Sequence, residues 1–134
     1  MIVIIGVLAG LVVFAMRSSI TKAKDARAKE AVRSVQNALD TYLLDHKDTF
    51  SALGTSLTLS SASTIQDANN VNLLNSVPQD GQGKPLVVTF SGDNEYTICA
   101  ATAGKADQYW YYSTKTGSTG GNLDAAAVGT CPPN

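Results

Sequence analysis

The chain has 134 residues and nearly equal numbers of basic and acidic side chains, ten against eleven, which give a formal net charge of -1. This balance argues against nucleic acid as the main partner, because domains that bind it usually carry a strong positive charge. The length leaves room for one small head domain beside the long helix that begins the sequence.

The first 16 residues form an uncharged apolar run with no polar face. A helix of this kind must be buried in lipid or among other helices, because a surface helix keeps one polar side. At about 1.5 Å per residue the run covers roughly 24 Å, less than the roughly 30 Å of a bilayer's hydrocarbon core. The residues predicted to lie in a membrane or in the core of a filament are Met1, Ile2, Val3, Ile4, Ile5, Gly6, Val7, Leu8, Ala9, Gly10, Leu11, Val12, Val13 and Phe14.

Residues 17–46 are predicted to continue the same helix with one apolar face, because neither Pro nor Gly occurs between Leu11 and Phe50. We expect an unbroken helix of roughly 65 Å that ends near Asp45 and whose apolar half projects from the head. Lys22 to Arg33 is locally basic, which we interpret as a solvated face next to a membrane. The face predicted to pack on the head recurs every three or four residues and consists of Ala28, Ala31, Val35, Ala38, Leu39 and Tyr42, widened by Val32 and Leu43.

Residues 47–84 are predicted to form a variable surface loop, because hydroxyl and amide side chains dominate there. A few apolar residues, among them Leu57, Leu59 and Ile65, would hold the loop to the head, and a short helix is expected near residues 70–75. The hydroxyl cluster is interpreted as solvated, with O-linked sugar as the alternative.

Three strands are predicted at residues 85–91, 95–102 and 108–114, separated by turns that contain Gly, Asp and Asn. They would form an antiparallel meander that packs one face on Val35, Leu39 and Tyr42. The predicted fold class is therefore α+β, with a long N-terminal helix whose second half packs on a small antiparallel sheet. Residues 85–134 hold this sheet and the C-terminal region, where no further strand is predicted.

The two cysteines, Cys99 and Cys131, lack the spacing of a zinc site. A disulfide between them would close a loop of about 30 residues and stabilise the fold by about 3 kcal/mol, and it would indicate an oxidising compartment. Two reduced, buried cysteines are the alternative.

Catalytic residues, metal ligands and cofactor-binding residues are not predicted. His46 is the only histidine and is expected at the helix C-terminus or on the surface, and Asp80 and Asp93 are expected to form turns rather than a calcium site. The aromatic run of residues 109–112 would place two rings in the core, and exposed rings on the other side could bind a ligand or single-stranded DNA.

Together these features resemble type IV pilins, and they are also similar to the pseudopilins of type II secretion systems. Residues 2–9, IVIIGVLA, match the inner part of the family's hydrophobic motif, and the helix match extends through residues 38–45, ALDTYLLD. Residues 78–85, PQDGQGKP, are similar to the pseudopilin loop before the first strand. The family's helix-breaking proline is absent, and aligning Gly6 with the family's glycine implies further mature residues before Met1, beginning at a methylated phenylalanine.

The resemblance implies a structural subunit of a type IV pilus that polymerises through its hydrophobic helix, without catalysis or cofactor. The implied partners are other copies of the chain in a homopolymeric helical filament, the inner-membrane assembly machinery, prepilin peptidase and, before assembly, membrane lipid. The implied location is the cytoplasmic membrane and then an extracellular pilus, which in this family serves adhesion, motility, DNA uptake or secretion. The alternatives are a type II secretion pseudopilin and a membrane-anchored extracytoplasmic binding domain.

Overall fold

The computed structural model describes residues 2–47, 49–104, 108–114 and, for the backbone alone, 123–124. In these residues the chain is an α+β protein with one long N-terminal helix and one antiparallel sheet, which confirms the predicted fold class.

Helix α1 spans Ile2–Asp45 and has 44 residues, so that it is roughly 65 Å long. Its last turn closes where the backbone N–H of His46 donates to the carbonyl of Tyr42 over 3.0 Å. Lys47 then adopts a left-handed backbone, with φ 57°, which turns the chain out of the helix. The predicted end near Asp45 is confirmed.

The sheet contains five strands that are neighbours in sequence order: β1 (Ser56–Thr58), β2 (Val87–Phe90), β3 (Tyr96–Ala101), β4 (Gln108–Ser113) and β5 (Leu123–Asp124). All adjacent pairs are antiparallel. The three predicted strands are confirmed as β2 to β4, each a little shorter than expected. β1 and β5 were not predicted, because each is two or three residues long and has no alternating pattern of its own.

The helix lies across one face of the sheet, and the main core fills the space between them. The helix contributes its stripe from Ala28 to Tyr42, and the sheet contributes Val88, Ile98 and Ala100. At the end farthest from the N-terminus, the ring of Phe50 packs 4.9 Å from that of Phe90 and 5.4 Å from that of Tyr96, centroid to centroid. This aromatic cluster closes the core near the end of α1.

The segment between α1 and β2 packs more closely on the head than its polar composition indicated. It contains two short 3₁₀ turns, Ser51–Leu53 and Ala62–Thr64, as well as β1. Its apolar side chains Leu59, Ile65 and Leu74 are fully or almost fully buried. They anchor the segment along the core, where β1 pairs with β2.

The prediction of a short helix near residues 70–75 is wrong. One carboxylate oxygen of Asp67 accepts hydrogen bonds from the backbone N–H groups of Asn69 and Val71, both over 2.8 Å. Asn70 is left-handed, with φ 61°, and an isolated antiparallel bridge joins Gln66 to Asn72. Local side-chain hydrogen bonds thus hold this stretch in a tight turn instead of a helix.

Candidate functional site: the uncovered half of the helix

Every side chain from residue 2 to residue 20 of α1 is exposed, and we call this stretch the uncovered segment. Ile2 is 88% exposed and Phe14 is 81% exposed, while the large apolar side chains on the other sides of the helix, such as Val12 at 56%, remain more than half exposed. The apolar surface therefore surrounds the helix, and a packed head does not cover it from any direction. This is the surface of a helix that needs a partner outside its own head.

Two hydroxyl groups near the end of the uncovered segment are hydrogen-bonded to the helix itself. The hydroxyl of Ser19 donates to the carbonyl of Ala15 over 3.3 Å, and the hydroxyl of Thr21 donates to the carbonyl of Arg17 over 3.2 Å. Such bonds remove the need for water around these hydroxyls. By length and composition, α1 has an 18-residue stretch apolar enough to cross a membrane, none of which is buried against the rest of the described chain.

Three small residues lie on one side of the uncovered segment. Gly6, Ala9 and Gly10 are separated by three and four positions, the spacing that places side chains on one helix face. Apart from the adjacent residues and the surrounding helix backbone, a Cβ atom added at Gly6 or Gly10 would have no atom of the described chain within 4 Å. This face can therefore admit another helix at short distance. Ordinary membrane-helix composition is the alternative explanation, because Gly is frequent in such helices.

The second half of α1 packs along the core of the head. Of the face predicted to pack there, Ala31 is half-buried, and the buried members are Ala28, Val35, Ala38, Leu39 and Tyr42, together with Val32. Tyr42 is covered on its far side by His46, whose ring stacks on it at 3.9 Å between centroids. Burial raises the pKa of the Tyr42 hydroxyl above its ordinary value.

Two polar contacts join α1 to the sheet at the edges of the core. The hydroxyl of Tyr96 donates to a carboxylate oxygen of Asp40 over 2.7 Å. Burial and this hydrogen bond both raise the pKa of Tyr96 well above its ordinary value. Nearer the uncovered segment, the ammonium group of Lys29 lies 3.8 Å from the ring centroid of Trp110, a cation–π contact.

The junction between the uncovered segment and the head is fixed by backbone contacts. The backbone N–H of Ala103, just after β3, donates to a carboxylate oxygen of Asp25 over 2.8 Å. One helical turn earlier, Thr21 lies beside Gly104, where an added Cβ would sit 3.5 Å from the threonine methyl group. Residues 21–25 therefore mark the height at which the head begins.

The loop of residues 78–85 is folded back against this junction. One carboxylate oxygen of Asp80 accepts from the backbone N–H groups of Gln82, over 2.8 Å, and Lys84, over 2.9 Å. The N–H of Gly81 donates to the carbonyl of Ala101 over 2.8 Å, and the side-chain amide of Gln82 donates to the carbonyl of Thr102 over 3.2 Å. Asp80 therefore acts as a turn former, which confirms the prediction for this residue.

The face of the sheet that points away from α1 carries a smaller cluster. Cys99, Ala101 and Tyr109 are buried there, and the ring of Tyr111 packs against them. Cys131 lies outside the described residues, so its pairing with Cys99 stays a prediction.

The aromatic run of β4 alternates between the two faces of the sheet. Trp110 and Tyr112 pack against the main core, and Tyr109 and Tyr111 belong to the smaller cluster on the other face. The four rings are buried or half-buried, which leaves less ring surface for stacking a ligand than the sequence suggested.

No group of three or more metal-ligating side chains occurs among the residues that the structure describes. His46 lies directly after α1, with its Nδ1 atom 3.1 Å from the carbonyl of Tyr42.

The sequence did not predict the roles of Asp25 and Gly81, which set the junction. Their partners are backbone groups 78 and 20 residues away, respectively. No family model, curated protein or solved structure matches the chain.

Proposed function

We propose that this chain is the structural subunit of a type IV pilus, with no catalytic role. The observation that carries the proposal is the division of one unbroken helix into an apolar half exposed on all sides and a half that forms the core of a head. Membrane lipid would cover the apolar half before assembly. The same helices of other copies would cover it after the subunit leaves the membrane.

The energy of the uncovered segment favours self-assembly once lipid is removed. Burying roughly 1,000 Å² of apolar surface at about 25 cal/mol per Å² contributes about 25 kcal/mol of gross transfer free energy. Association costs on the order of 4–15 kcal/mol in lost freedom of motion, so a large surplus remains. Helices that pack side by side with their heads outward give an open helical polymer, because nothing in such a contact closes the ring.

The disulfide belongs to the same proposal. Cys99 faces away from α1, on the sheet surface that the C-terminal region would have to cover if Cys131 were bonded to it. A bond there requires an oxidising compartment, in agreement with a head that lies outside the cytoplasmic membrane.

A type II secretion pseudopilin is the second candidate, and the loop of residues 78–85 favours it. Its Pro-x-Asp-Gly pattern is similar to that of the pseudopilin loop, and here Asp80 and Gly81 hold it in a defined turn against the end of β3. A membrane-anchored extracytoplasmic domain is the third candidate, because α1 could cross a membrane without assembling further.

Electron microscopy of filaments sheared from cells that make this protein, combined with mass spectrometry of the subunit, tests the proposal. We expect long extracellular filaments composed of this chain, with an amino terminus that begins at a methylated phenylalanine. Short filaments confined to the periplasm would favour the pseudopilin. A chain that is monomeric in detergent and absent from every filament fraction would overturn the proposal in favour of the anchored domain.

A further inference from the structure

The positive charge of the chain is concentrated directly after the uncovered segment. Residues 17–33 contain two acidic side chains and six basic ones, a net charge of +4, although the whole chain has a net charge of -1. The remaining residues therefore carry a net charge of -5. We call the basic residues of this stretch the basic collar, and they are Arg17, Lys22, Lys24, Arg27, Lys29 and Arg33.

The basic collar begins at the height of lipid headgroups and extends beyond it. With residues 2–16 in the hydrocarbon, Arg17 lies at its boundary, and the Cα atoms of Lys24 and Arg27 stand about 10 and 15 Å farther along the axis. The headgroup layer is about 5–8 Å thick on each side of the bilayer. Because helical side chains lean toward the helix N-terminus, the long side chains of Lys24 and Arg27 can reach back toward this layer.

A cleft formed in part by the basic collar could hold a lipid headgroup. It has a volume of about 180 Å³, and its walls are Lys24 and Arg27 on the helix and residues 79–83 on the opposite loop. Its volume is many times the ~15 Å³ that one water requires by the same measure. Both basic side chains are exposed, so a ligand can approach them from the membrane side.

Two of the three acidic groups near the cleft, Asp80 and Asp25, are engaged by backbone amides. Asp80 accepts two backbone N–H bonds within its own loop, and Asp25 accepts the N–H of Ala103. Glu30 lies in the adjoining groove, which Arg27 also lines. The loop is held in place by the bond from Gly81 to Ala101, so the cleft is a built feature of the head.

We propose that this cleft and the basic collar bind the phosphate headgroup of an anionic phospholipid in the leaflet on the head side of the membrane. Arg27 offers a planar pair of N–H donors for two phosphate oxygens, and Lys24 adds a second positive charge. The attraction described for clusters of four to eight basic residues at the cytoplasmic leaflet is electrostatic, so it applies equally to anionic lipid in the leaflet on the head side. The inference requires membrane insertion alone, and it holds whether or not the chain forms filaments.

Native mass spectrometry of the full chain, released from mixed nanodiscs of phosphatidylcholine and phosphatidylglycerol, tests the proposal. We expect the wild-type chain to retain phosphatidylglycerol in preference to phosphatidylcholine. The double variant Lys24→Gln/Arg27→Gln should lower this preference about 10- to 30-fold, the effect of removing two charges near the surface. Lys47→Gln is the matched control, because Lys47 is exposed at the opposite end of the head, and it should change nothing.

Three results would overturn the proposal. One is an equal loss of preference in Lys47→Gln, which would mean that overall charge decides. Another is equally strong binding of soluble glycerophosphoglycerol to the chain in detergent, which would assign the cleft to a soluble phosphate. The third is an unchanged lipid preference in the double variant; if the same variant also shows weaker chemical cross-linking between copies, the collar is a contact between subunits. Circular dichroism on each variant checks that the head remains folded.

Discussion

At the scale of single residues, Gly81 allows its loop to approach the end of β3 closely. A Cβ atom at this position would overlap the backbone nitrogen of Ala103 and lie 2.9 Å from the carbonyl oxygen of Ala101. These are backbone atoms of the junction itself, so neither can move aside without disturbing the contact with Asp25. Glycine is therefore required here because a side chain would not fit, and not because of the backbone φ angle.

Gly81→Ala should lower the free energy of unfolding by about 1–3 kcal/mol, the usual cost of forcing extra volume into a packed site. The measurement is urea unfolding of the full chain in detergent micelles. Gly92→Ala is the control, because the nearest atoms to an added Cβ there belong to the Glu95 side chain at 3.9 Å, and it should change stability by less than about 0.5 kcal/mol. Equal effects of the two substitutions would contradict the close approach at Gly81.

The buried hydroxyl of Tyr96 makes the stability of the head sensitive to high pH. Because its pKa is raised in the folded state, the unfolded chain loses this proton first, from about pH 10 upward. The unfolded state then binds fewer protons than the folded state, so the free energy of unfolding should fall as the pH rises above about 10. Tyr42, whose pKa is also raised, contributes in the same direction.

Tyr96→Phe should make this fall with pH shallower. It should also lower stability at neutral pH by about 1–3 kcal/mol, because the carboxylate of Asp40 loses its phenolic donor. Thermal unfolding followed from pH 7 to pH 11 measures both effects. If wild type and variant lose stability in parallel above pH 10, the proton on Tyr96 is not the cause.

At the scale of elements, α1 was predictable because its signals are long and repeated. An apolar run without a polar face, followed by a stripe with a spacing of three and four residues, defines both halves and the end near Asp45. The short elements were not predictable in the same way. β1 has a single partly buried residue, Leu57, between two exposed hydroxyl residues, and its place is set by pairing with Val88. Residues 70–75 show how one carboxylate, that of Asp67, can override a weak local preference for helix.

The candidate site was likewise predictable only in part. The apolar composition of residues 2–14 was sufficient to predict a surface that needs a partner. The junction was not predictable, because it depends on where β3 ends relative to Asp25, and that register comes from the packing of the whole sheet.

The small face of the uncovered segment allows a test that separates membrane insertion from assembly. Ala9→Phe keeps the helix apolar, so we expect normal membrane insertion, but the larger ring should keep neighbouring helices apart and lower filament yield about tenfold or more. Leu44→Phe is the control, because Leu44 is 81% exposed on the same helix and lies outside the uncovered segment. Membrane fractionation and counts of sheared filaments measure the two properties. Normal filament yield with Phe at position 9 would show that this face does not pack closely in the polymer.

At the scale of the whole molecule, the chain is an elongated object with three zones along its axis. The apolar half of α1 comes first, the basic collar follows at the base of the head, and the remaining residues carry a net negative charge. A single continuous helix links all three zones, so a force or displacement applied to the head is transmitted to the tail.

The proposed disulfide would add a covalent restraint at the far side of the head. We expect the intact protein to be lighter by two hydrogens than its reduced form, and we expect Cys131→Ser to lower the free energy of unfolding by about 3 kcal/mol. Urea unfolding with and without reductant measures the effect. The reductant should destabilise the wild-type chain and leave Cys131→Ser unchanged, whereas a wild-type chain that is indifferent to reductant would favour two reduced cysteines.

The contact between Lys29 and Trp110 has a practical consequence. Trp110 is the only tryptophan in the chain, and it lies at the boundary between helix and sheet, with a positive charge 3.8 Å from its ring centroid. Its indole N–H is buried and has no hydrogen-bond partner among the residues that the structure describes. Because a nearby charge and contact with water both change the emission of an indole, the intrinsic fluorescence of this protein reports directly whether α1 and the sheet remain docked.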